Sequence, residues 1–137
     1  MSAAAVVHQD ARASLRNVEH LANLLCRMTD SEWYEAESQG GVLTQEAQKK
    51  RLIQLRNSSE QLQWLLTLRK TSERLSLRAR VHKSLALIDV SFAARQCALV
   101  RAGQLYKEAS DLDVAEEKNA TIIAPLTGWR VNGCSSR

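Results

Sequence analysis

Apolar residues recur at intervals of three and four along most of this chain, the spacing that gathers side chains on one face of a helix. From residue 11 to 28 they fall at Ala11, Leu15, Val18, Leu21, Ala22, Leu25 and Met28, with Arg12, Arg16, Glu19 and Arg27 mainly outside the stripe. The pattern predicts an amphipathic helix over 11–28, preceded by a loose end over 1–9. Thr29-Asp30-Ser31-Glu32 then has the form of a capping box, with Met28 and Trp33 placed as a hydrophobic staple. It predicts a restart and a short acidic helix over 30–38. Trp33 and Tyr34 are the large apolar groups of that piece, better suited to packing on the main helices than to anchoring a partner.

Gly40-Gly41 marks a break, after which Thr44 can cap a new helix over 44–68. Its main stripe is Leu52, Leu55, Ser59, Leu62 and Leu66. A second apolar group, Trp64, Leu65 and Leu68, lies about 90–170° round the helix from that stripe. A helix apolar on two faces is covered twice, and the second group is a candidate partner surface.

The following stretch, 69–83, carries Arg69, Lys70, Arg74, Arg78, Arg80 and Lys83, spread around the helix rather than aligned. Thr71, Ser72 and Ser76 lower its helix propensity. A turn is expected here, because a helix running unbroken from Thr44 to Lys118 would be about 112 Å long. The prediction is a hairpin of two antiparallel helices, 44–68 and 77–109. In the second, Leu77, Val81, Leu85, Ile88, Phe92, Leu99 and Tyr106 fall within about 80° of arc, a seam close to coiled-coil spacing. Arg95 interrupts that seam and is a candidate for fixing register against an opposing helix. The opposite side carries the mostly small Ala86, Val90, Ala93, Ala94, Cys97 and Val100. The stretch Ser84–Val100 contains no Gly or Pro and has only Asp89 and Arg95 charged, so it is read as one unbroken helix around which the rest is organised.

Ser110 and Asp113 offer another capping signal, predicting a short helix over 111–118. Beyond it the β-branched Thr121, Ile122 and Ile123, followed by Pro125, predict an extended tail over 119–137. The fold class is therefore all-α: an elongated hairpin or small up-down bundle with coiled-coil character, one helical domain over 10–118.

Composition adds limits more than chemistry. The 137 residues suffice for one modest domain, and the core is built mainly from Leu, Val and Ala because aromatics make up 4%. The net charge of +4 is segregated: 13 Lys/Arg against 4 Asp/Glu over 42–107, with acidic excess at both ends. A basic middle suits an acidic protein surface, a nucleic acid or the chain's own acidic ends. Three cysteines cannot all pair within one chain, and none has metal spacing, so reduced thiols are expected. His8, His20 and His82 lie on different segments with no nucleophile or orienting group implied beside them. The N-terminus lacks the form of a signal peptide, and no apolar run reaches bilayer length.

These features predict a non-enzymatic helical subunit or adaptor of a larger assembly, without metal or cofactor, in a cytoplasmic or nuclear setting. It would pair with helical proteins, homo- or hetero-oligomeric, through Trp64, Leu65 and Leu68 and the 77–106 seam including Arg95. A nucleic-acid module using the basic 69–83 segment, and a helical chaperone for one dedicated protein, are the alternatives.

Overall fold

The structure is a computed structural model that describes the backbone of residues 3–123 and the side chains of residues 14–119. Four helices follow one another: α1 (Ala3–Ser38), α2 (Gln45–Leu68), α3 (Ser72–Ile88) and α4 (Phe92–Ile123). The described residues form no strand.

The joints between helices are set by local chemistry. α1 ends in a Schellman turn: Gly41 N donates to Ala36 O and Gly40 N to Glu37 O, while Gly40 adopts a φ of 72° that favours glycine. Thr44 caps α2, its hydroxyl accepting from Ala47 N at 3.2 Å. Thr71 caps α3 in the same way, accepting from Arg74 N at 3.1 Å. The expected turn between the two long basic helices is thus present, compressed to residues 69–71. Arg74 closes it, donating to the Leu65 and Arg69 carbonyls left over at the end of α2. A cation at a helix C-terminus also suits the dipole there.

Three expectations are corrected. The restart at Thr29 does not occur, and α1 runs straight through. Thr29 is buried, and its hydroxyl donates to Leu25 O one turn back at 2.7 Å, a bond compatible with continuous helix. Glu32, expected to close the capping box, instead forks onto Arg51 of α2. Second, the helix expected over 77–109 is two helices. Asp89 is the C-cap of α3 and Ser91 opens α4, its hydroxyl accepting from Ala94 N at 3.3 Å. Gln48 of α2 donates to Ile88 O, covering a terminal carbonyl of α3. Short polar side chains that bond their own backbone broke the helix where no Gly or Pro does. Third, Ser110 and Asp113 start no new helix, and α4 continues past residue 119 to Ile123. The rest of the expected tail, 124–137, lies outside the described residues, as do the side chains of the first 13.

α1, α2 and α3 form a three-helix core, and α3 touches every other helix. Ala22, Leu25 and Cys26 of α1 meet Leu52, Leu55, Leu62 and Leu65 of α2 and Val81, Leu85 and Ile88 of α3. Each buried Leu or Ile contributes on the order of 2 kcal/mol of transfer free energy. α4 rests almost wholly on α3. The pair is antiparallel: Ala98 of early α4 joins Ala86 and Ile88, while Leu105 and Ala109 join Leu75 and Ala79. The buried positions of α4 are spaced four, three and four apart (Ala98, Ala102, Leu105 and Ala109) and three of the four are alanine. Side chains that small let the two backbones approach closely.

Polar ties lock the core in register. Arg51 Nε and one terminal nitrogen reach the two oxygens of Glu32 at 3.1 and 2.6 Å. That pairing holds the Glu32 carboxyl below its ordinary pKa and the Arg51 guanidinium above. Arg74 Nε reaches Glu19 at 2.9 Å, and Ser84 donates to Asp30 at 2.8 Å. Cys26 is buried against this side of α3, and burial pushes its thiol pKa up, so it is an inert core residue.

Candidate interaction surface

The break at 89–91 divides the expected seam. Val81, Leu85 and Ile88 sit inside the intramolecular core, and Leu77 packs at its edge. These four residues are occupied by the chain itself. Phe92, Leu99 and Tyr106 are on the far side of the break and are exposed by 68%, 50% and 39%. Reversal of direction between α3 and α4 turned one stripe of seven into two stripes facing different surroundings. Arg95, half-buried on α4, lies beside the exposed stripe.

The second expected surface is also divided. Leu65 is fully buried in the core, whereas Trp64 and Leu68 are each 55% exposed. Trp64 forms the wall of a shallow depression with Asn57, Glu60 and Gln61 on the outer face of α2. Ile53, one further exposed apolar group, lies on the same face at helical spacing.

The basic segment does not present its cations together. Arg74 is spent on Glu19 and two carbonyls. Arg78 donates to Ser59 and Gln63 on α2, and Arg80 to Asn23 on α1. Lys70 is paired with Glu108 of α4. Arg69 and Lys83 are exposed but far apart, Arg69 in the turn before α3 and Lys83 in the last third of α3. In this fold the arginines of α3 tie the helices to one another.

Sequence reasoning missed a groove between α2 and α4, floored by α3. It has a volume of about 750 Å³, with Leu85, Ala94, Cys97 and Val100 on its apolar wall. Ser59 and His82 lie on its floor, 3.2 Å apart between Oγ and Nε2. Burial, with help from Arg78 and Arg101, pushes the His82 pKa down to about 4, so the ring is neutral near pH 7. Glu60 and Asp89 line the groove, but among the described residues the ring's hydrogen-bond partner is Ser59 and no carboxylate orients it. Asp89 is directed instead to Arg56 at 3.3 Å, across the mouth of the groove. The groove stayed illegible because it is made by three helices meeting, and its position depends on the break at 89–91.

Cys26 and Cys97 are free, and no group of three His, Cys, Asp or Glu side chains among the described residues could hold a metal. No helix among the described residues is long and apolar enough to cross a membrane.

No family model matches the sequence, and neither a curated protein nor a solved structure matches it.

Proposed function

We propose that the protein is a non-enzymatic helical interaction subunit that works by pairing its α4 with another helix. The observation that carries this reading is the inversion on α4: alanines are packed against α3, while Phe92, Leu99, Val100 and Tyr106 are left exposed. A helix that needed only to complete a monomer would turn its large apolar residues inward. Phe92, Leu99 and Tyr106 are seven apart in succession, the spacing of one row in a two-helix seam. Large apolar side chains at i, i+7 spacing on an exposed helix face are the anchors of helix pairing, and Tyr106 is of a type enriched among binding hot spots. Trp64 and Leu68 on α2 supply a second, smaller apolar surface for the same assembly.

Affinity purification at native expression level, followed by mass spectrometry, tests the reading. Wild-type protein recovers a defined helical partner, an untagged copy of itself included, and Leu99→Glu loses it while keeping its helical circular dichroism. Recovery of nucleic acid alone, or a partner set unchanged by Leu99→Glu, overturns it.

A further inference from the structure

We infer that the partner of α4's outward face is a second copy of this chain, bound antiparallel about a two-fold axis at the level of Arg101; the inference rests on the interaction reading above. The seam consists of Phe92, Gln96, Leu99, Gly103, Tyr106 and Ser110, spaced alternately four and three apart. It lies about 110° round α4 from the buried alanine seam, so a helix laid on it clears α3. Large apolar residues occupy one row (Phe92, Leu99, Tyr106), and small or polar ones the other (Gln96, Gly103, Ser110).

Two antiparallel helices at this spacing place one row of each opposite the other row of its partner. With the axis at Arg101, Phe92 falls on Ser110 of the second copy, Tyr106 on Gln96 and Leu99 on Gly103. Each match occurs twice by symmetry, so every layer is a large residue over a smaller one, which packs to even density. Parallel pairing sets like on like, leaving Gly103 over Gly103 and Ser110 over Ser110 as gaps between crowded layers. An antiparallel shift of seven residues one way sets Phe92 against Glu117 and Gln96 against Asp113. The same shift the other way carries Tyr106 and Ser110 past Phe92, where α4 begins. One register uses all six positions.

Two further observations point the same way. Gly103 lies in the middle of α4, where glycine weakens a helix, and among the described residues a Cβ placed there meets nothing within 4 Å. The described residues give it no steric use, whereas a leucine of a second copy seated above it does. Charge selects the orientation. Residues 92–107 of α4 carry Arg95, Arg101 and Lys107 and no acid, whereas 108–123 carry Glu108, Asp111, Asp113, Glu116 and Glu117 against Lys118. Antiparallel pairing holds the two acidic ends apart, and parallel pairing would lay them side by side. Val100, exposed and one residue from the axis, meets its own copy at the edge of the seam.

Sedimentation equilibrium on the full chain, with cross-linking, tests the proposal. Wild-type protein is expected to be a dimer at micromolar to millimolar concentration. Leu99→Glu weakens the dimer by at least about 30-fold, the scale of a central anchor, with unchanged helix content. In a Cys97→Ser, Cys134→Ser background, a short bismaleimide links Val100→Cys to its own copy. Ser110→Cys stays unlinked, because the two copies of residue 110 are about 27 Å apart along the axis. A monomer throughout that range overturns the second-copy proposal; it leaves the interaction reading to its own test, the partner lost by Leu99→Glu. Linkage at Ser110→Cys, or none at Val100→Cys, overturns the register.

Discussion

The three-helix core and α4 use apolar residues in opposite ways. In the core, the large side chains face inward: Leu55, Leu62, Leu65, Val81 and Ile88 are fully buried. On α4 the inward positions are mostly alanine, and Phe92, Leu99 and Val100 are at least half exposed. The first arrangement is what a chain does to fold, since buried area is the dominant favourable term. The second gives up much of that gain, because an alanine buries little area. It makes sense where the withheld area is buried in a second step, by association.

The largest expected effects sharpen this contrast. Leu62→Ala, in the core, should cost about 2–5 kcal/mol of unfolding free energy in chemical denaturation. Phe92→Ala should cost the dilute monomer less than about 1 kcal/mol, because the ring is mostly exposed. Before the break at 89–91 is taken into account, Phe92 belongs to a buried seam and its truncation would cost about 3–5 kcal/mol. A Phe92→Ala loss in that range would mean that α4 packs as the other helices do. A second contrast concerns size. Ala102 is buried on α3, so Ala102→Leu should destabilise by about 1–3 kcal/mol by forcing α3 and α4 apart. The same change at the exposed Ala93 should alter stability by less than about 0.5 kcal/mol.

Two arginines, one in the turn at 69–71 and one in the first turn of α3, provide a smaller test. Arg74 holds Glu19, the end of α2 and the turn together, so Arg74→Ala should cost about 1–3 kcal/mol, as for charged hydrogen bonds lost at a half-buried site. Arg69→Ala, at an exposed position, should lie within about 0.5 kcal/mol of wild type. Equal losses would show that α3's arginines are not fastening the core.

A separate test uses pH. His82 is neutral in the folded chain down to about 4 but takes a proton near 6.5 when unfolded. Between those values the unfolded chain binds the extra proton, so stability falls as the solution is acidified from 6.5 toward 4. His82→Gln should flatten that part of the melting-temperature profile. A wild-type profile no steeper than that of His82→Gln would show that the ring is not held neutral on the groove floor.

Much of this was legible in the sequence, and the failures share one cause. The helix over 44–68, the turn after Leu68 and the all-α class follow from periodicity, from Gly40-Gly41, from the cap at Thr44 and from the low helix propensity of Thr71 and Ser72. What was misread is what short polar side chains do. Thr29 has the form of a cap but bonds back into its own helix; Asp89 and Ser91 sit in an apolar run yet end one helix and start another. The choice between these outcomes is made by tertiary partners such as Arg51, Arg56 and Gln48, which no local pattern displays. Missing the break at 89–91 joined two faces into one seam. It assigned Val81, Leu85 and Ile88 to a partner when they belong to the core. It also hid the groove between α2 and α4.

The central claim is that the large apolar residues of α4 serve association rather than the fold of the single chain. Chemical denaturation over a series of protein concentrations tests it most directly, because binding of a second copy raises apparent stability by mass action. The account predicts a wild-type midpoint that rises with concentration, a Leu99→Ala midpoint that rises far less, and convergence of the two at the dilute end. A wild-type midpoint independent of concentration, or a Leu99→Ala loss as large in dilute solution as that of Leu62→Ala, would contradict it.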